Sequence, residues 1–165
     1  MLGCNHSMRV YTDASHGDYV IGVGYVVCLK DGTEIQSKRY KYGEYSSMDA
    51  EWYALMEGME VATSHRSDDD ASIDVITDCE PLVTKIRQPD DLYNDKWFSY
   101  RKRALNKLFE FDTWRLRWQK RGTSTENEAA DRLAREALWQ ARDEYGSLKN
   151  TGEYTGSAKQ GLTFI

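Results

Sequence analysis

No stretch of this sequence approaches the ~20 consecutive apolar residues of a bilayer-spanning helix, so a helical membrane span is excluded. Proline is scarce, with 2 in 165 residues, while 40% of the chain is hydrophobic and 30% charged. That balance excludes a disordered chain and implies one folded, soluble domain with a single core. Cysteine is scarce as well. Cys4, Cys28 and Cys79 show no pairing logic and no metal-site spacing, which excludes a disulfide scaffold or zinc module. Cys28 and Cys79 read instead as small core residues in a reducing cytoplasm. The opening "MLGCNHSM" lacks the apolar region of a signal peptide, and residues 1–7 read as a leader. A basic excess is also missing. The formal net charge of -5 argues against a wholesale nucleic-acid coat. Basic residues nevertheless thicken over residues 96–107 and 115–121, away from the acidic "SDDD" at 67–70, so one face can still meet nucleic acid.

What is present falls into short periodic segments. "MRVYTDA" reads as a strand ending near Asp13, and "YVIGVGYVVCL" (19–29) as a longer one. "KDG" at 30–32 is a hairpin turn. "TEIQSKRYKY" (33–42) alternates as an edge strand would. From Ser46 to about His65 the period becomes helical, through Trp52, Leu55, Met59 and Ala62. "SIDVIT" is a compact buried strand, and Pro81 suits the first turn of a short helix after it. A second helix is expected over 95–111, and "TWRLRWQ" (113–119) is a strand. Thr125 and Glu128 have capping-box spacing for a last helix to about Asp143. The order βββ-α-β-α-α-β-α predicts an α/β (mixed α+β) fold, a five-stranded mixed sheet with helices on both faces. Residues 8–143 read as the domain. Residues 144–165, punctuated by glycine, read as an extended tail whose end "GLTFI" could dock on the open sheet edge.

Four acidic residues hold equivalent places in this layout. Asp13 ends the first strand and Glu51 opens the first helix. Asp78 ends the fourth strand, and Asp131 lies in the first turns of the last helix. Each alone reads as a cap or a dipole partner. All four at the ends of apolar segments are harder to explain so. Brought to one sheet edge they would repel unless cations neutralised them, and an all-oxygen set suits Mg²⁺ or Mn²⁺. Two such ions ~4 Å apart are a device for in-line phosphoryl displacement.

"YTDAS", "SSMDAEWYAL", "VITDCE" and "TENEAADRLA" resemble the four motifs of type 1 ribonuclease H, and the similarity runs over about residues 8–142. The resemblance implies a ribonuclease-H-like fold and a metal-dependent endonuclease for the RNA strand of RNA–DNA hybrids, with two Mg²⁺ ions per site and Mn²⁺ as substitute. It implies that Asp13, Glu51, Asp78 and Asp131 are the metal ligands. Ala14, Ser15, Ser47 and Met48 fall where the family meets the RNA strand, and Glu128 where it positions it. Arg121 stands where many members carry an active-site His, as in archaeal-like members that lack it. His6, His16 and His65 are elsewhere and read as incidental. No long basic insertion follows the short helix, and Lys96, Trp97 and Arg101 are its nearest substitute, beside an Arg115/Arg117 strand face. No membrane and no protein partner is implied. Three alternatives differ in residues. A proofreading exonuclease wants Asp-x-Glu on the first strand, where this chain has Asp13-Ala14-Ser15. A transposase core orders its acids as Asp, Asp, Glu. A catalytically silent binding module has no reason to keep four repelling carboxylates together.

Overall fold

A computed structural model describes residues 7–67, 72–88 and 96–151, with side chains to 146. The chain folds as β1 (Met8–Gly17), β2 (Val20–Cys28), β3 (Glu34–Tyr42), α1 (Ser47–Ser64), β4 (Ser72–Thr77), α2 (Glu80–Arg87), α3 (Trp97–Leu108), β5 (Thr113–Trp118) and α4 (Thr125–Thr151). The expected element order and the mixed five-stranded sheet are therefore both present. Strand order is β3-β2-β1-β4-β5. β1 runs antiparallel to β2 and parallel to β4, which is in turn parallel to β5.

Both faces of the sheet are covered, so its central strands are apolar on both sides. Every residue of β2 is buried. On one face Val10, Tyr25, Val75 and Leu116 pack with Trp52, Leu55 and Met59 of α1, Leu82 and Ile86 of α2, and Leu108 of α3. On the other, Tyr11, Val26 and Ile76 pack under Ala130 and Leu133 of α4. Further along α4, Ala137, Leu138 and Ala141 cover Val20, Tyr40 and Tyr42. Among the described residues no helix is long and apolar enough to cross a membrane.

Two glycines set how closely α4 approaches. A Cβ on Gly22 would stand 2.3 Å from the Ala134 carbonyl oxygen, and one on Gly24 would stand 2.2 Å from that of Ala130. α4 thus rests its backbone directly on β2, and neither glycine can gain a side chain without pushing the helix away. Gly58 does the same for α1, where a Cβ would lie 2.9 Å from Thr12 Cγ2. Tight seating of both helices brings their acidic residues to the sheet.

Several local expectations are corrected. Asp13 does not end its strand: β1 continues to Gly17 because its pairing with β2 persists to Gly17↔Val20, and the turn falls at Tyr19, with φ 69. What ends at Thr12↔Thr77 is the pairing with β4, so Asp13 is the first β1 residue beyond that ladder. Glu51 does not open α1 but lies one turn in, since Ser46 caps the helix reciprocally with Asp49. α4 is capped by Ser124, whose Oγ accepts from Asn127 N at 3.2 Å, rather than by Thr125. It also passes Asp143, because Tyr145 packs on Tyr19 and Tyr42 while Tyr40 bonds Glu144. The helix expected over 95–111 is narrower, Trp97–Leu108. Residues 1–6 of the expected leader 1–7 and the docking of "GLTFI" lie outside the described residues.

Candidate active site

β1 and β4 part after Thr12 and Thr77, and the carboxylates gather where they part. Asp13, Glu51 and Asp78 each offer an oxygen, and these oxygens lie within 4.8 Å of one another. Asp13 is buried, at 2% exposure. Its Oδ1 accepts from the Ala14 N–H at 2.8 Å. Asp131 lies outside this mutual trio, yet its carboxyl meets that of Asp13 directly, and both are approached by Arg121. That guanidinium lies 2.9 Å from Asp78 Oδ2, 3.8 Å from Asp13 Oδ2 and 3.9 Å from Asp131 Oδ1. Arg135, one turn along α4, grips the other Asp131 oxygen at 2.9 Å.

Crowding carboxylates out of water raises the cost of ionising them. Burial, and then the Asp78 charge, push the Asp13 carboxyl up to about 8. Burial, with the charges of Asp13 and Asp78, holds Glu51 well above the usual carboxylate range. Glu51 Oε2 is buried with no hydrogen-bond partner. An orphaned acceptor of this kind is costly. A divalent cation among these oxygens would both satisfy Glu51 and relieve the repulsion, and the all-oxygen set matches hard ions such as Mg²⁺ or Mn²⁺. Beside the trio, burial pushes the Cys79 thiol up to about 12, so it is protonated at neutral pH and no nucleophile.

The remaining expected site residues are placed as follows. Ala14 and Ser15 continue β1 at the rim, partly exposed. Ser47 is exposed as the first residue of α1, while Met48 leans on the core. Glu128 is exposed in the first turn of α4. Lys96 Nζ lies 3.4 Å from Asp49 Oδ2 and 4.2 Å above the Trp97 ring. Trp97 packs against the core and Tyr100. Arg101 turns inward, its Nε and Nη2 donating to the Ile86 carbonyl at 3.1 and 3.0 Å at the end of α2. Arg115 grips Asp74 with two bonds of 2.7 and 2.6 Å. His16 Nε2 contacts the Tyr45 carbonyl, away from the trio. Sequence reasoning missed Arg135, although its i+4 spacing from Asp131 was a usable signal. It also missed Trp118, whose indole N–H donates to the Asp78 carbonyl at 3.1 Å; that bond has no local signal.

With this geometry in place, a family described as reverse transcriptase-like matches residues 12–137. The chain belongs to that ribonuclease-H-like family. The match covers all four carboxylates and every strand but the start of β1. Solved structures agree. Ribonuclease H1 of the halophilic archaeon Halobacterium salinarum superposes with TM-score 0.70 at 25% identity, covering 82% of this chain and 99% of that one. The N-terminal ribonuclease H domain of a Mycobacterium tuberculosis protein gives 0.66 at 22% identity, over 84% and 99%. LC11 ribonuclease H1, isolated from compost and solved in complex with an RNA/DNA hybrid, gives 0.68 at 21% identity, over 82% and 99%. No curated protein sequence matches.

Proposed function

We propose that this chain is an endonuclease that hydrolyses the RNA strand of RNA–DNA hybrids, using two Mg²⁺ ions, with Mn²⁺ as substitute. One observation carries the reading. Three buried or half-buried carboxylates share a 4.8 Å neighbourhood, with an unpartnered Glu51 oxygen among them and Asp131 beside them. A fold kept by packing alone has no use for that repulsion. Family membership and the hybrid-bound LC11 enzyme support the choice of substrate.

In this reading Asp13, Glu51, Asp78 and Asp131 would hold the ions, Asp131 toward the attacking water, Glu51 and Asp78 toward the leaving oxygen, and Asp13 serving both. Bound there, they would supply charge neutralisation at the phosphate and acidify the attacking water. Water oxygen bonds to phosphorus as the bond to the 3′ oxygen breaks, and that oxygen takes up a proton. The products are 5′-phosphate and 3′-hydroxyl ends. Arg121, fixed in charge, donates to the phosphate oxygens as negative charge builds on them. Ser15, Ser47 and the Ala14 backbone meet the ribose 2′-hydroxyls, which distinguish RNA from DNA. Met48, Glu128, Lys96 and Trp97 line the approach, and Arg101 acts by keeping α2 in place. Residues 8–143 carry the activity, and the free thiols of Cys28 and Cys79 suit a reducing cytoplasm.

The test is cleavage of a labelled hybrid against RNA-only and DNA-only duplexes, with and without divalent ions. Metal-dependent cutting of the hybrid's RNA strand alone is expected. Binding without any cleavage would make the chain a silent ribonuclease-H-like module instead.

A further inference from the structure

Beside the carboxylates, on the β5 edge of the sheet, lies an open groove of about 510 Å³ that the mechanism above does not use. Its walls are Glu80, Val83, Thr84, Arg87 and Gln88 of α2 and its end, with Arg117 and Trp118 of β5. The volume falls within the ~300–1,000 Å³ typical of small-ligand sites.

Two features of the groove point to a nucleotide. Trp118 is 47% exposed, unusual for the largest apolar side chain, yet its ring is pinned by the bond from Nε1 to the Asp78 carbonyl. A fixed, solvent-facing indole is a stacking platform, and stacking a base on an aromatic ring is worth ~1–3 kcal/mol. Arg87 is anchored through Nη2 to the Leu116 carbonyl at 2.6 Å. A guanidinium carries five N–H donors in a rigid fork, so one bond to a carbonyl leaves others to meet a phosphate. Arg117 also borders the groove, but its guanidinium turns to Asp74 on the other face of the sheet, 3.4 Å away. The pinning of Trp118 to Asp78 also fixes where the groove leads. A strand whose phosphate sits at the carboxylates has its next nucleotides within reach of this ring.

We propose that this groove binds an unpaired nucleotide of the RNA strand next to the cleavage position, its base on Trp118 and its phosphate on Arg87. The site would make the enzyme prefer hybrids whose RNA strand is single-stranded just beyond the duplex. A second consequence is that stacking, tolerant of any base, adds affinity without sequence preference. The inference rests on the hybrid-cleavage reading and deepens it.

The experiment measures affinity in the absence of divalent ions, so that it does not depend on cleavage. Four hybrids of one duplex sequence are compared: blunt, with an RNA extension at one end, with an RNA extension at the other, and with a DNA extension. Each is titrated against the wild type, Trp118→Ala and Trp118→Phe, and the quantity read is the ratio of extended to blunt affinity. A general loss of binding cancels in that ratio. We expect one RNA extension to bind about 5- to 100-fold tighter than blunt, the range that one stacked base supplies. The preference should vanish in Trp118→Ala and largely return in Trp118→Phe. A wild-type ratio of one, an equal gain from the DNA extension, or a preference that survives Trp118→Ala would each overturn the groove assignment. None of these outcomes bears on hybrid cleavage itself, which fails only if the wild type with Mg²⁺ leaves all four substrates intact.

Discussion

Asp13 and Arg121 carry opposite halves of one electrostatic problem. In the metal-free protein the Asp13 carboxyl is pushed up to about 8, first by burial and then by Asp78. Its unfolded value is ~3.9, so between about pH 4 and pH 8 the folded state holds the extra proton. Stability from this group is therefore full below pH 4 and is lost as pH rises through 8, with a slope of at most ~1.4 kcal/mol per pH unit. Asp13→Asn removes that slope. In thermal melts without metal, the variant should lose less melting temperature from pH 5 to 8 than the wild type, the remaining fall coming from buried Glu51, and in the cleavage assay it should be nearly inactive. An active Asp13→Asn enzyme would remove Asp13 from the chemistry. Arg121, 65% exposed as a side chain yet within 4 Å of three carboxylates, is the protein's own counter-charge. Arg121→Ala should reduce turnover without a new ionisation in the pH–rate profile, because arginine does not titrate in this range. It should also lower the metal-free melting temperature. Unchanged turnover would leave Arg121 a structural ion-pair partner only.

At the scale of elements, the site depends on how closely two helices seat on the sheet. Gly24 is opposite Asp13 in the β1–β2 register, and its missing Cβ lets the backbone of α4 pass at Ala130, next to Asp131. A side chain there must move backbone, not a flexible tip. Overpacking of this kind costs ~1–3 kcal/mol. Gly24→Ala should lose about that much in urea unfolding and, by lifting α4, should weaken Mg²⁺ binding in calorimetry more than its stability loss accounts for. A variant that is destabilised but binds metal normally would show that Asp131 tolerates the shift. The glycine pattern "GVG" was visible in the strand, but nothing local showed which helix lay against it.

For the molecule as a whole, the proposed hybrid substrate would set a net charge of -5 against a polyanion. Coulomb repulsion at that scale is overcome only by local clusters. Arg101 and Arg115 are engaged by the Ile86 carbonyl and by Asp74, which leaves Lys96, Lys102 and Arg103 as the exposed cations at the α3 end of the molecule. Replacing these three by alanine should flatten the slope of log affinity against log salt by ~0.9 for each phosphate no longer neutralised on a B-form duplex, and comparably for a hybrid. An unchanged slope would place the hybrid on another face.

The element order, both sheet directions and the four acidic positions were legible in the sequence, because each depends on local periodicity or on motifs a few residues long. Val10 and Tyr11 show that periodicity is enough to place a strand, as each is buried against a different helix layer. Where β1 stops was not legible, because its last residues are held by pairing with β2 rather than by their own apolar pattern. The length of α4 escaped for the same reason: Tyr145 stays helical through rings contributed by Tyr19 and Tyr42, over a hundred residues earlier. At the site, sequence named the carboxylates, but only the tertiary structure decided that three of them share one neighbourhood while Asp131 reaches it at Asp13 and through Arg121. It also decided that Trp118 leans on Asp78, and that Arg101 serves the fold. Contacts between residues far apart in the chain leave no periodic trace, since each partner's local sequence is satisfied by many neighbours and the packing selects one.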